Sequence, residues 1–371
     1  MKDVIIIGGG LAGLTNAILL GRAGLKVQLF EEKKYPFHRV CGEYISKEVI
    51  PFLKANDLYP EELEPCDISR FHLSSVSGKV LKLPLDLGGF GVSRYAYDQW
   101  LAQKAKEAGV EIIHGRIIQS EFHQNGFELA DKSGRTPKAR IVIGAFGKRS
   151  TLDKSLERPF IQKRSPYVGV KYHIKTDVQK DNVIALHNFN KGYCGISRVE
   201  NDTFNLCYLT HRSNVKKYGS LSDMEEEVLM RNPLLKEIFR SADHLFKKPE
   251  VINEVTFERK EPVYNHMIMT GDSAGMITPL CGNGMAMAIH SAKLSSELII
   301  KSFKNGFDQS KLERDYSEKW NQQFANRLWA GRNIQSLFGS QMISSLTVSM
   351  GKMFPSVASY LMKKTHGKPF S

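Results

Sequence analysis

Two stretches hold residues whose types and spacing could do chemistry. The first is Gly8-x-Gly10-x-x-Gly13, with Glu31 standing 18 residues beyond the third glycine. The second is Gly271-Asp272, followed by Pro279, Gly282, Asn283, Gly284 and Met285. In the first, Gly8 permits a tight turn, Gly10 lets a pyrophosphate approach the backbone, and Gly13 lets a helix pack closely on a strand. A helix beginning at Leu11 and Ala12 offers unpaired N–H groups and a partial positive charge to phosphates. Glu31, with Glu32 beside it, can accept from ribose hydroxyls and would repel a 2′-phosphate. In the second stretch, Asp272 is placed to accept from the hydroxyls of a ribityl chain. Pro279 and the glycines let backbone run against a flat ring, and a helix starting near Gly284 turns its positive end toward that ring.

These residues need particular elements to hold them. Asp3-Val-Ile-Ile-Ile7 is a continuous apolar run, as expected of a buried parallel strand. Leu14 to Ala23 has helical periodicity and stops at Gly24, and Lys26 to Phe30 reads as the next strand. Strand, glycine turn, helix, strand and acid together make a dinucleotide fingerprint, which alone does not separate FAD from NAD. Further along, Ser46 caps a helix to about Asn56, and Ser93 caps one from Arg94 to Ala108. Phe71 to Ser74 and Val80 to Leu83 read as strands, and Leu87 to Gly91 as a flexible loop. Ala139 to Ala145 and Met267 to Asp272 read as two more buried strands. Between them lie extended segments at 167–174, 183–189, 192–199 and 204–209, the last two joined by an Asn201-Asp202 turn. Gly284 onward is helical.

Composition narrows the class. The 371 residues are 42% hydrophobic and 25% charged, ordinary for a globular protein large enough for two domains. The first strand begins at once, leaving no room for a signal peptide, and no run approaches the ~20 apolar residues of a membrane span. Five cysteines without CxxC spacing argue against a metal site or disulfide framework and fit a reducing cytoplasm. Lysine and arginine exceed the acids by 52 − 39 = 13. No nucleic-acid module accompanies that excess, which leaves an anionic lipid, acidic substrate or acidic protein as its partner.

Gly8-x-Gly10-x-x-Gly13, Glu31, Arg39-Val-Cys41-Gly42-Glu43, Arg94 and Gly271-Asp272 through Gly284 together resemble the para-hydroxybenzoate hydroxylase-like FAD-dependent oxidoreductases. Ser273-Ala-Gly275 and Pro279-Leu-Cys-Gly282 make the chain most similar to their geranylgeranyl reductase and FixC-type dehydrogenase branch. The resemblance implies an α/β (overall α+β) architecture. A Rossmann-like FAD-binding domain would take 1–70, 93–155 and 255–330. An antiparallel-sheet substrate domain would take 71–92 and 156–254, and a helical tail 331–371. It implies FAD as cofactor, NAD(P)H or an acidic electron carrier as donor, and a hydrophobic lipid-like or aromatic substrate. Arg39 would approach the FAD, and Arg94 its ribityl or pyrophosphate region. Cys41 would sit beside the flavin, as proton relay or inert thiol, whereas His38 reads as structural. Tyr193 and Ile196 would line the substrate pocket. Phe146 stands where the hydroxylases carry the Asp of an Asp-Gly motif. Of the Tyr-x-Trp-x-Phe-Pro of archaeal reductases only Tyr193 is present, and the Trp-x-Trp-x-Ile-Pro of halogenases is missing. Reduction of a double bond and hydroxylation through oxygen both stay open.

The tail has its own pattern. Met342, Ile343, Leu346, Met350, Met353 and Phe354 recur at helical intervals, Pro355 interrupts, and Val357, Tyr360, Leu361 and Met362 resume before Lys363-Lys364. From Gly331 to Ser371 there is no acid, against Arg332, Lys352, Lys363, Lys364 and Lys368. Such a stripe either packs on the core as a lid or docks a cytoplasmic enzyme on the anionic inner face of a membrane.

Overall fold

The apolar run at the start of the chain becomes β1 (Lys2–Ile7), with Val4, Ile5 and Ile6 fully buried. The computed structural model describes residues 1–124, 126–278, 282–335, 340–363 and 367–371. After β1 come α1 (Leu11–Arg22), β2 (Val27–Glu31), β3 (Tyr44–Ser46), α2 (Ile50–Ala55), β4 (Cys66–Ser74), β5 (Val80–Gly91) and α3 (Arg94–Glu107). The chain continues through β6 (Glu111–His114), β7 (Ile117–His123), β8 (Gly126–Asp131), β9 (Lys138–Gly144) and α4 (Thr151–Ser155). The middle holds β10 (Tyr167–Lys175), β11 (Val183–Phe189), β12 (Gly192–Arg198) and β13 (Phe204–His211), then α5 (Arg212–Tyr218), α6 (Leu221–Glu227) and α7 (Pro233–Ser241). Short strands β14 (Asp243–His244), β15 (Glu250–Asn253), β16 (Val263–Tyr264) and β17 (Met267–Met269) precede α8 (Gly284–Lys304), α9 (Gln309–Gln335), α10 (Gln341–Met353) and α11 (Pro355–Lys363).

Two sheets result. In the first, β17, β9, β1, β2 and β6 lie side by side and parallel, with β16 antiparallel at the edge and the β7–β8 hairpin attached to β9. Helices α1 and α8 pack together and are joined by a buried bond from Ser295 Oγ to Asn16 Oδ1, 2.7 Å. A Cβ at Gly13 would lie 1.9 Å from the Gly8 carbonyl oxygen, so α1 meets β1 closely only because residue 13 has no side chain. The second sheet runs β14-β10-β13-β12-β11-β4-β5-β3, antiparallel except for β11 against β4, with β15 also on β10.

Several expectations change. Leu87 to Gly91 is the end of β5 and no loop. Its glycines serve close approach: a Cβ at Gly91 would meet the Arg198 carbonyl oxygen at 1.8 Å, and one at Gly89 the Tyr44 ring at 2.1 Å. The second sheet also recruits β3 and the start of β4, upstream of the boundary expected at residue 71. The strand expected to run to Asp272 stops at Met269. Gly271 takes φ +59, and Gly271–Ser273 forms a single 3-10 turn that sets Asp272 outside the sheet. β7 and α5 were not expected. The Asn201-Asp202 turn has positive φ at both residues, as a two-residue hairpin requires.

The tail packs on the core with only part of its apolar stripe. Val348 of α10, with Ala358 and Met362 of α11, packs on an apolar cluster of the second sheet. Met342, Leu346, Met350, Met353, Phe354, Val357 and Tyr360 stay exposed. Lys364 and the side chain of Leu361 lie outside the described residues. Beyond α11, Gly367 N and Phe370 N donate to Oε2 and the carbonyl of buried Glu48, and the Phe370 ring stacks on His290 at 3.9 Å.

One buried ion pair ties the two sheets' connections to the Asp272 turn. Arg158 and Asp153 are fully buried, 3.1 Å apart, and Arg158 Nη1 also donates to the Ser273 carbonyl at 3.0 Å. Arg158→Met would leave Asp153 charged without its partner, a loss of about 3–5 kcal/mol. Denaturant titration should show that loss, with Arg158→Met/Asp153→Asn recovering part of it. A single variant as stable as wild type would deny the pair this role.

Candidate functional site

The site begins where β1 gives way to α1. Gly10 is the N-cap of α1 in extended conformation, and no side chain caps the helix. Among the described residues nothing bonds the N–H groups of Leu11, Ala12 and Gly13, whose own side chains are buried or absent. A Cβ at Gly10 would meet only Arg94 Nη2, at 3.3 Å. The helix end is therefore an open cradle of donors with a guanidinium at its rim, which suits a diphosphate.

Glu31, at the end of β2, is nearly buried. Its Oε2 accepts from Gly9 N and from Arg39 Nη2, both at 2.9 Å, and its Oε1 from Lys33 N at 3.0 Å. Arg39 also donates to the Gly9 carbonyl at 3.2 Å and to Asp98 Oδ2 at 3.0 Å. Asp98 grips Arg94 with both oxygens at 2.7 Å, fixing the guanidinium over Gly10. Burial opposes the charge on Arg94, but Asp98 outweighs burial and drives its pKa upward. Asp98 escaped the sequence reading. Its signal was a lone acid one turn after Arg94 on the same face of α3. Glu32 departs from expectation: it is exposed and paired with Arg116, because neighbouring strand-end residues point to opposite sides.

The second half comes from far along the chain. Gly271 lies against the first turn of α1, where its Cβ would meet Ala12 Cβ at 3.0 Å. The Asp272 carboxylate, half-buried, accepts no hydrogen bond from the described residues, and its backbone carbonyl accepts from Lys260 Nζ at 2.8 Å. Burial pushes the Lys260 ammonium down to about 8, against the pull of Asp153 and Asp272. Asn283 is the N-cap of α8, with its Nδ2 3.4 Å from Glu48 Oε2, and the Met285 side chain is core. Gly282 sits on the Tyr44 ring. Pro279 lies outside the described residues.

Between the two halves runs the segment 38–43. Lys148 Nζ holds the Val40 carbonyl at 3.1 Å, Asn205 Nδ2 the Cys41 carbonyl at 3.1 Å, and Ser197 Oγ the Gly42 carbonyl at 3.1 Å. Cys41 is half-buried and free. Glu43 is fully buried. Its carboxylate accepts from Arg94 N at 2.7 Å, pairs with Lys171 Nζ and lies 2.6 Å from His173 Nε2. Burial alone would raise its pKa, but Lys171, aided by His173, holds it down at about 2. His38 stacks near His173, Tyr95 and Phe246, and burial with the nearby Lys171 lowers it to about 4. Lys171 and His173 were missed by the sequence reading. A lysine and a histidine two apart inside an apolar strand share one face, and that was the available signal.

Strand alternation then sorts the second sheet. Lys171, His173, Ser197, Asn205 and Tyr193 face the 38–43 segment and the tail. Ile196 does not share a wall with Tyr193. It packs with Cys194, Leu206 and Leu229 on the far face, because three residues along a strand reverse the side. Tyr193 instead joins Leu73, Leu81, Leu186, Leu209, Met276 and Val348.

The family profile described as "FAD binding domain" matches residues 3–38. The fold is that of a flavin-dependent brominase, Bmp2, with a TM-score of 0.79 at 19% identity, covering 100% of this chain and 94% of that one. A geranylgeranyl bacteriochlorophyll reductase-like protein from Thermoplasma acidophilum superposes with a TM-score of 0.77 at 16% identity, over 98% and 99% of the two chains. With the open helix end, Glu31 and Asp272 in place, the chain is an FAD-dependent oxidoreductase. Among its sequence relatives is digeranylgeranylglycerophospholipid reductase 1 of Methanopyrus kandleri, 22% identical over 351 residues, 90% of this chain and 90% of that protein.

Asp272→Ala should weaken FAD binding by ~1.5–3 kcal/mol, about tenfold or more in Kd, without unfolding the chain. Flavin titration with an unchanged Kd would remove Asp272 from the site. Glu43 predicts an acid limit. Its folded pKa, about 2, lies below the ordinary 4.5, so its stabilisation is whole above 4.5 and fades as pH falls toward 2. Glu43→Gln should be less stable than wild type at neutral pH, and the gap should close on acidification. Denaturation midpoints across that range that run parallel would refute it.

Proposed function

We propose that the protein reduces carbon–carbon double bonds of a hydrophobic, isoprenoid-type lipid. The observation that carries this reading is the apolar wall on the segment-facing side of the second sheet. Tyr193, Leu186, Leu209, Leu73 and Leu81 continue from the polar band that grips Cys41 and Gly42, so an apolar chain and the Cys41 region share one face. The relationship to a digeranylgeranylglycerophospholipid reductase supports the same substrate class.

Bound FAD, held by the helix end, Glu31 and Asp272, would supply hydride once reduced. The chain supplies the rest. Arg94 and Arg39 orient the diphosphate end, and Asp98 keeps both guanidiniums in register. The Cys41 Sγ proton is the candidate for delivery to the second carbon of the bond. Cys207 serves no such role, because burial pushes its thiol up to about 12. The Tyr193 wall excludes water from the reacting bond. NAD(P)H is the proposed donor, and the basic surface also suits an acidic electron carrier. Hydroxylation through oxygen is the competing reading, favoured by the fold shared with a flavin-dependent brominase.

Anaerobic stopped-flow mixing with NADPH, NADH and reduced ferredoxin should bleach the flavin with one of them. Added geranylgeranyl lipid should then restore its absorbance and gain hydrogen by mass spectrometry. Cys41→Ser should keep its FAD and slow that reoxidation. Reoxidation only with oxygen, giving a hydroxylated product, would favour the monooxygenase. Equal rates for wild type and variant would make Cys41 an inert thiol.

A further inference from the structure

Helix α10 is amphipathic in the reverse of the usual sense. A surface helix ordinarily buries its large apolar side chains and shows small or polar ones to water. In α10 the buried face is Ser344, Val348 and Gly351. A Cβ at Gly351 would come within 2.5 Å of Leu81, so the small face lets the helix settle directly onto β5. The outward face carries Met342, Leu346, Met350 and Met353, between 52% and 79% exposed, and Phe354 and Val357 extend it across the junction with α11. Of the 14 exposed large hydrophobic residues described, seven lie between Met342 and Tyr360. Scattered apolar residues on a surface need no explanation, but half of them within one short segment do.

The charge around this face selects its occupant. No acid occurs from Gly331 to Ser371, while Lys352 and Lys363 are exposed beside the apolar row. Lys363 pairs with Asp86 at 2.7 Å, both side chains 69% exposed, a contact readily exchanged for another anion. A second copy of the chain would bring lysines against lysines. An anionic bilayer would neutralise them and receive the methionines, Leu346 and Phe354 among its acyl chains. The face is also pre-set. Thr278 Oγ1 bonds the Gly331 carbonyl on one side of the tail, and Gly367 and Phe370 are bonded to Glu48 on the other. No described helix is long and apolar enough to cross a membrane, so α10 and α11 would lie in the interface plane.

We propose that the outer face of α10 and the start of α11 docks the protein on anionic lipid bilayers. This rests on the isoprenoid-lipid reading only for its purpose. The inner side of the same helix belongs to the cluster containing Tyr193, so docking would set the substrate wall one helix thickness from the acyl chains. A lipid could then reach the flavin side of the second sheet without entering water.

The test is flotation of the full-length holoprotein with phosphatidylcholine vesicles and with vesicles that also contain phosphatidylglycerol. Binding should need the anionic lipid and fall with salt. Met342→Ser/Leu346→Ser/Met350→Ser/Met353→Ser should lower it by about tenfold or more, as should Lys352→Glu/Lys363→Glu, with flavin content unchanged. These side chains are exposed, so folding should survive. Leu346→Trp alone gives an independent readout, a blue shift of its emission on anionic vesicles. No binding by wild type, full binding by the serine variant, or no blue shift would overturn the proposal. So would a dimer, seen by light scattering, that the serine variant abolishes. Vesicle binding without lipid reduction would sink the substrate reading alone. Lipid reduction without vesicle binding would sink the docking alone.

Discussion

The Glu43 carboxylate is the constraint on which the site depends. It is fully buried and joins two elements: the first residue of α3 through Arg94 N, and β10 of the second sheet through Lys171 and His173. A buried charge is costly unless its partners are close and well placed, so this carboxylate dictates where those partners stand. The dictated geometry includes the segment just upstream, where Cys41 and Gly42 are held by Asn205 and Ser197 of the second sheet. The helix α3 and the second sheet are thus registered by an electrostatic pin as well as by apolar packing.

Around that pin the second sheet divides its labour by strand alternation. One face is mostly apolar and closes under α6 and α7, with the buried Glu225 of α6 accepting from the Tyr172 and Tyr208 hydroxyls. The other is polar where it grips the 38–43 segment and apolar where the tail helices cover it. A single sheet therefore holds the polar 38–43 segment and a greasy region side by side, with their boundary near Cys41. Lys260 reinforces this boundary from below, its Nζ bonded to the carbonyls of Lys148 and Asp272.

The parts of the molecule legible in sequence were those whose signal is local. The Gly8 to Glu31 unit carries its strand, turn and helix in one stretch, and each element formed where the pattern placed it. The four central strands and their Asn201-Asp202 turn were legible for the same reason. What was illegible depends on distant partners. Leu87 to Gly91 looks like a loop because its glycines look permissive, yet they are there to admit the Tyr44 ring and the Arg198 carbonyl. Tyr193 and Ile196 looked like neighbours until β12 placed them on opposite faces. Lys171 and His173 acquire meaning only from Glu43, which no spacing rule connects to them, whereas Asp98 stands one helical turn after Arg94. The tail pattern was visible, but which face would be buried was not, because Gly351 decides it through a contact with Leu81.

The bond from Gly367 to Glu48 has a consequence for how the chain is made. The two residues are separated by 319 positions, so the contact cannot form until nearly all of the described chain has been synthesised. Until then Glu48 must wait with Arg327, itself a late residue, also missing. A growing chain therefore exposes an unpaired acid just after β3 for most of its time on the ribosome. Synthesis proceeds from the N-terminus, and domains tend to fold in that order. Here the earliest part to appear is among the last to be completed. The region around β3 thus gains its last contacts only when translation is almost over.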